Sequence, residues 1–276
     1  MKIVMWIGNE PNQRALANKI NDIFPLSGIV TETRNVQTKV TVQKIFEKIV
    51  EKIFLRFIGS AWWGMQQYYD KRYPEYPDVK ILDVENINAE EAFNFSQDLE
   101  PDLILVSGTR LIKDKMLSVN PNIGILNLHT GLSPYIKGGP NCTNWCIATN
   151  QFHLIGNTIM WIDAGIDTGN LLATAFTDVN GNETFSELHL KVMEHAHSLY
   201  LNSVQFLSDG FKHSIPQNEI SKGKTYYTKE WTLKQKINLA LNYKKLKSYF
   251  TSEKPNQDRK TIQTIEITGA KNINQV

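Results

Sequence analysis

The sequence predicts an α/β protein with a doubly wound, Rossmann-like and mainly parallel sheet, plus a small C-terminal appendage. Three observations predict it. The chain opens as strand, glycine-containing loop, helix and strand, a βαβ unit that demands parallel pairing. Residues 102–107 are an uninterrupted apolar strand, as expected where helices cover both faces of a sheet. After Gly210 the strand–helix rhythm stops and the chain turns basic.

The first strand spans residues 2–7 and closes at Gly8. Pro11 suits the first turn of the helix over 12–24, where Leu16, Ile20 and Ile23 share a face. Residues 28–32 read as the second strand. Residues 36–58 read as an amphipathic helix: Val42, Ile45, Phe46, Ile49, Ile53 and Phe57 recur at three and four, with Lys and Glu opposite. It is expected to pack on the sheet rather than lie on a membrane. The aromatic cluster from Trp62 to Tyr76 reads as a loop packed on its own helix; base stacking is the other reading. Strands follow at 80–84, 102–107, 123–128 and 156–162, with helices over 88–99 and 183–209. A boundary near 210–215 divides a larger domain, 1–210, from a small basic region, 211–276.

At 276 residues, 41% hydrophobic and 21% charged, the chain is long enough for a substantial core and is not a disordered one. The net charge of +2 hides an asymmetry. Residues 211–276 carry 13 Lys and Arg against 5 Asp and Glu, leaving 17 against 23 in residues 1–210. A basic tail reads as a solvated surface or as a site for an anionic partner. Two cysteines, Cys142 and Cys146, cannot build a disulfide framework. They read as small core residues, not a metal pair, and no metal is expected. His189, His195 and His197 read as surface histidines. The N-terminus breaks into a turn too soon for a signal peptide, and no apolar run approaches a membrane span. The expected location is cytoplasmic. There is no GxGxxG or Walker motif, so Gly8 alone supports no dinucleotide claim.

Ligands of an open parallel sheet bind beyond the carboxyl ends of its strands. Asn127 and His129 fall at one such end, and Asp167 follows another. Two residues apart on a strand, Asn127 and His129 project in one direction. An amide beside an imidazole suits a carbonyl oxygen that turns negative in a tetrahedral intermediate. A nearby carboxylate can hold the imidazole or take a proton from an attacking amine. The pattern suggests acyl transfer to an amine; taken alone, an Asn-x-His is more often structural.

The flanking residues add to this. Asn127-Leu128-His129-Thr130-Gly131-Leu132-Ser133-Pro134-Tyr135-Ile136-Lys137-Gly138-Gly139-Pro140 resembles the signature of the folate-dependent formyltransferases. Ile162-Asp163-Ala164-Gly165-Ile166-Asp167-Thr168-Gly169 is similar to that family's second signature, in which the Asp of Asp-x-Gly is catalytic. The resemblance covers roughly residues 1–200. It departs at Gly131, where serine is common, at Ser133, where leucine is, and at Lys137, where the initiator-tRNA enzymes have arginine.

The resemblance implies that 10-formyltetrahydrofolate is the co-substrate. Its pterin would lie on the backbone of 161–167, including Trp161, Ile162, Asp163 and Ile166, with its central ring near Gly108, Thr109, Arg110 and Leu111. Asn127 and His129 would stabilise the oxyanion, and Asp167 would orient His129 and assist proton removal. Thr168-Gly169 selects Asp167 over Asp163. The implied donor residues all precede residue 170, so the donor site is expected not to need residues 215–276. The chain most resembles the sugar-nucleotide N-formyltransferases, whose acceptor is a nucleotide-linked amino sugar serving as a cell-surface glycan precursor. Asn9, Lys137, Gly138 and Tyr226 are the acceptor-side choices, with the basic groups facing a pyrophosphate. The alternatives are a methionyl-tRNA formyltransferase and a formyltetrahydrofolate hydrolase. The expected partners include neither nucleic acid nor membrane, and a homodimer is compatible with this reading.

Overall fold

The computed structural model describes residues 1–34, 49–53, 55–162 and 168–267. Its strands are β1 (Ile3–Gly8), β2 (Leu26–Glu32), β3 (Ile81–Val84), β4 (Leu103–Ser107), β5 (Gly124–His129), β6 (Ile136–Gly138), β7 (Gly156–Trp161), β8 (Leu171–Phe176) and β9 (Lys224–Tyr226). Seven of them form one sheet in the order β3-β2-β1-β4-β5-β7-β8, and β6 pairs with β9 apart from it. Strands β1 to β5 are parallel, while β7 and β8 are antiparallel. The order reverses between β1 and β4, the switch point of a doubly wound sheet.

All six residues of β1 are buried, because the sheet is covered on both faces. Ile3, Met5 and Ile7 enter a core with Leu16, Ala17 and Ile20 of α1 (Pro11–Asn21). The same core takes Ala196, Leu199, Tyr200 and Val204 from a long C-terminal-side helix, 185–208. Val4 and Trp6 point the other way, toward Val30, Ile104, Val106 and Ala92. Each such side chain contributes roughly 1.5–3 kcal/mol over remaining exposed.

The aromatic cluster corrects the loop expectation. Trp62, Trp63, Tyr68 and Tyr69 lie on a helix, α2 (Arg56–Arg72). Ala61, Met65 and Tyr69 recur every four residues and form its buried stripe, a period that the neighbouring aromatics and glycines obscure in the sequence. Of the helix expected over 36–58, residues 49–53 are helical and Leu55 precedes α2; residues 35–48 and 54 lie outside the described residues.

The opposite sheet face is covered by α3 (Glu90–Asp98) and α4 (Asp114–Leu117). Next come α5 (Cys142–Ala148) and the long helix, α6 (Phe185–Ser208). A capping box of Thr184 and Glu187 starts α6; such a cap is typically worth about 1 kcal/mol. Two of its histidines correct the surface expectation. His189 and His197 are buried, because α6 is sandwiched between the sheet and α2. His189 packs edge-on to Phe185 and Trp62, and His197 lies against Tyr69. Burial pushes the His189 imidazole down to about 4. Burial, with Lys19 beside it, lowers His197 too.

Residues after Gly210 pack along the preceding ones. Ile215 bridges to Leu171 of β8, and β9 pairs in parallel with β6. The tail continues through α7 (Gln217–Ile220), α8 (Leu233–Tyr243), α9 (Leu246–Phe250) and α10 (Lys254–Arg259). Leu239 and Leu246 enter a core with Trp145, Ile147 and Phe185. Ile265 is buried, and its backbone N–H donates to Thr174 Oγ1 at 2.8 Å. No helix among the described residues is long and apolar enough to cross a membrane.

Candidate active site

Strand β5 sorts its side chains by alternation. Leu126 and Leu128 enter the core beneath α1 and α6. Ile125 points the opposite way, into the cluster of Trp6, Val106, Ile112 and Met116. Asn127 and His129 therefore follow Ile125 on that second face. Both are half-buried in a strand whose apolar residues are buried. Beneath them, the buried Tyr200 hydroxyl accepts from Val106 N at 2.9 Å and donates to Leu126 O at 2.8 Å. This anchors α6 to the β4–β5 seam.

Beyond His129 the chain is fastened to β7. Thr158 stands opposite His129 in register. Its hydroxyl donates to Gly131 O at 2.7 Å and accepts from Ser133 N at 2.9 Å. Helix α5 then brings Cys142 Sγ to 3.5 Å from His129 Nε2. Both cysteines are buried, and neither is in a disulfide. Lys137 and Gly138 lie on β6. Gly138 has φ +92°, and a Cβ there would run into the Tyr226 backbone, so this loop takes only glycine.

The segment after β4 lies between the ends of β1 and β5, one strand from each. Leu111 is 47% exposed, while Ile112 is buried in the cluster that borders Asn127. Gly108 accepts from Arg34 Nη2 at 2.7 Å through its carbonyl, and Thr109 is half-buried. Arg110 is already engaged: its Nε pairs with Glu32 at 2.5 Å, and its Nη2 donates to Glu85 O at 2.7 Å. Glu32 is a buried hub. Burial alone would raise its carboxyl, but the Ile87 amide, the Arg34 side chain and the Arg110 amide together hold it below the usual carboxylate range.

Trp161 and Ile162 part company. Trp161 pairs with Leu126, so its ring takes the face opposite Asn127. It lies over Gly124, with Nε1 donating to His213 O at 3.0 Å. Only its backbone remains for the Asn127 side. Ile162 donates its N–H to Ile125 O at 2.9 Å and packs with the Ile112 cluster. Asp163, Ile166 and Asp167 lie outside the described residues.

Among the residues expected to meet the acceptor, Lys137 Nζ donates to Gln217 Oε1 at 3.1 Å, and Gln217 Nε2 donates to Gly169 O at 2.8 Å. Gln217 thus joins the β6 loop to the residues that follow Asp167. Sequence reasoning missed Gln217 and Tyr200, because neither belongs to a motif or a periodic face that would single it out. The Tyr226 ring is 3% exposed and stacks on Trp145 at 4.3 Å, so it is packed in the core; Tyr227 beside it is half exposed. Asn9 follows β1, accepts from Tyr76 OH at 2.8 Å and donates to Thr33 Oγ1 at 2.8 Å. It is two strand spacings from β5, about 10 Å.

An open, doubly wound sheet with an amide and an imidazole at the carboxyl end of a central strand defines an α/β protein with a strand-end site. Residues 65–204 match the family model described as formyl transferase. The chain belongs to that family. A methionyl-tRNA formyltransferase of Clostridium tetani is 34% identical over 131 residues, which is 47% of this chain and 42% of that protein. Another, from Methylacidiphilum infernorum, is 32% identical over 140 residues, 51% and 43% of the two chains. The chain thus spans less than half the length of these curated relatives. Among solved structures, the N-formyltransferase of Helicobacter canadensis, in complex with folinic acid and dTDP-3-aminofucose, aligns over 87% of this chain and 80% of its own. The TM-score is 0.54 at 14% identity. A sugar N-formyltransferase from a Shewanella species covers 87% of each chain at TM-score 0.54 and 14% identity. Phosphoribosylglycinamide formyltransferase of Streptococcus pneumoniae covers 75% and 99% at TM-score 0.51 and 16% identity. At these identities the likeness is one of fold.

Proposed function

We propose that this chain transfers a formyl group from 10-formyltetrahydrofolate to the amine of a small nucleotide-linked amino sugar. The observation that carries the reading is the pairing of Asn127 and His129 on one face of β5, within a chain of the formyl transferase family. Apolar groups that could take a flat heterocycle lie nearby: Leu111 is exposed, and the half-buried Ile162 packs with the cluster of Ile112 and Ile125, on the face of β5 that carries Asn127. The folate supplies a carbonyl carbon already activated by its nitrogen. Asn127 donates its amide N–H to the formyl oxygen as negative charge grows there, a contribution that strengthens toward the transition state. His129 lies along the same face and shares that charge. Asp167 accepts the proton that the attacking amine must lose, so the amine reacts in its neutral form. Lys137 and Gly138 present a cation and a bare backbone to the acceptor's pyrophosphate, and Asn9 borders the same strand ends. The donor complex of the Helicobacter canadensis protein, which holds a folate and a nucleotide-linked amino sugar, supports this choice.

A second reading has its own observation: the curated relatives at 34% and 32% identity act on methionyl-tRNA by name. The test gives the protein one formyl donor and two acceptor sets, nucleotide-linked 3-amino and 4-amino sugars and charged initiator tRNA, with products read by mass spectrometry. A sugar product with no formyl-tRNA supports the proposal. Formyl-tRNA with no sugar product replaces it with the tRNA reading. Formate release with no amine present makes the chain a hydrolase.

A further inference from the structure

One face of the molecule combines exposed apolar side chains with cations. Residues 49–53, the first two turns of α2 and Lys236 of α8 border a groove of about 620 Å³. Its apolar lining is Leu55, Ile58 and Trp63, and its cations are Lys52, Arg56 and Lys236. Ile49 and Ile53, expected to pack on the sheet, are 51% and 64% exposed, and Trp63 is 64% exposed. Helix α8 borders this groove through Lys236. It packs on α5 through the buried Leu239 and the Asn242 amide, which donates to Ala148 O at 3.1 Å. A period of 3.6 puts Lys234, Ile237, Leu241 and Lys244 on the opposite side, where all four are exposed.

The chemistry of this face selects its occupant. Clustered large apolar side chains in water mark a surface that something covers. Charge decides what covers it. Glu51 pairs with Lys236 at 2.5 Å, so among the described residues Lys52 and Arg56 keep no acidic partner. A second copy docked face to face would set these cations against their own equivalents. A nucleic acid would satisfy the cations but leave Ile49, Ile53, Ile237 and Leu241 without an apolar partner. An anionic lipid surface satisfies both. Aliphatic side chains enter the acyl boundary, an indole rests at headgroup level, and ammonium and guanidinium groups meet lipid phosphates. We propose that this face docks on an anionic bilayer surface, with Ile53, Trp63 and Leu241 entering the interface and Lys52 and Arg56 holding lipid phosphates. None of these residues belongs to the β5 site.

The docking face does not depend on the proposed function, and its test needs no substrate. The full chain is sedimented with vesicles of phosphatidylcholine alone and of phosphatidylcholine with about one-third phosphatidylglycerol. Binding to the anionic vesicles is expected to be at least about tenfold tighter. Lys52→Gln combined with Arg56→Gln should weaken it about twentyfold, for two lost charges. Ile53→Ser combined with Trp63→Ser should weaken it at least about tenfold, for two side chains that no longer insert. All four positions are exposed, so the melting curves of both variants are expected to match wild type. Lys212→Gln, whose cation lies over Trp161 and does not line the groove, should change binding less than about twofold. Equal binding to both vesicle types, or binding to neither, overturns the proposal. So does binding that survives both groove variants, or that Lys212→Gln weakens as much as they do. A dimer in sedimentation velocity that Trp63→Ser dissolves, with no vesicle binding, replaces the lipid with a second copy. If anionic vesicles bind as expected but wild type formylates no amine, the functional reading fails and the docking face stands.

Discussion

Asn127 and His129 both reach the half-buried face of β5 because the strand alternates, and Leu126 and Leu128 lock the register from behind. Replacing either polar residue leaves that apolar lock intact. Asn127→Ala and His129→Ala are therefore each expected to lower formyl transfer at least about a hundredfold while the melting curve stays close to wild type. Steady-state kinetics beside a calorimetric scan check this; a parallel loss of stability would make the pair structural. That these two residues share one face of a strand end was legible in the sequence, because alternation alone predicts it. Arg110 was less so. Its place in the motif suggests a ligand contact, yet Glu32, seventy-eight residues earlier in the chain, holds its side chain. Such a partner is set by tertiary structure and leaves no local trace.

The strands and helices that a period of two or 3.6 marks strongly were readable within a few residues: β1, β2, β4, β5 and α6. Missed were β6, β8 and β9. The three-residue β6 and β9 are too short to show a period, and the β8 run Leu171-Leu172-Ala173-Thr174-Ala175-Phe176 has no clean alternation. Helix α6 shows what a pattern leaves out, since His189 and His197 sit on a second buried face against α2. At neutral pH His189 is uncharged in the folded chain. An unfolded histidine takes up a proton as pH falls through about 6.5, whereas folded His189 resists until about 4. Protons thus bind the unfolded state first, so stability should drop progressively between those values, by up to roughly 3 kcal/mol from this group. Urea melts of wild type and His189→Gln from pH 7 to 4 check this, with the variant expected to show a shallower decline. The second prediction at this scale concerns Tyr200. Tyr200→Phe leaves Val106 N–H buried without its oxygen at the β4–β5 seam and should cost about 1–3 kcal/mol. Because that seam carries Asn127, transfer rates should fall as well.

For the whole molecule, the distribution of charge bears on the acceptor. An acceptor carrying one pyrophosphate releases few counterions, so its KM should change only a few-fold between 50 and 200 mM salt, whereas a polyanion gripped at six or more phosphates loses about a thousandfold or more in affinity. Measuring KM across that range with each acceptor class checks the choice. The tail invites a different expectation from the one its composition gave. Removing residues 215–276 takes away Leu239, Leu246 and Ile265 from buried positions and uncovers Trp145 and Thr174. The truncated chain is expected to lose its cooperative thermal transition, as circular dichroism melts would show, before any donor binding can be asked of it.

The pairing of β6 with β9 matters to anyone recombining this chain with a relative. Lys137 and Gly138 are paired with Thr225 and Tyr226, nearly ninety residues downstream. A crossover placed at Gly210, where the composition changes, would join a loop from one parent to a supporting strand from another. The junction itself would be smooth and the loop would still lose its register. Hybrids that exchange residues 134–141 together with 211–267 keep both halves of the pair from one parent. A library of such hybrids should hold more active members than one cut at Gly210 alone.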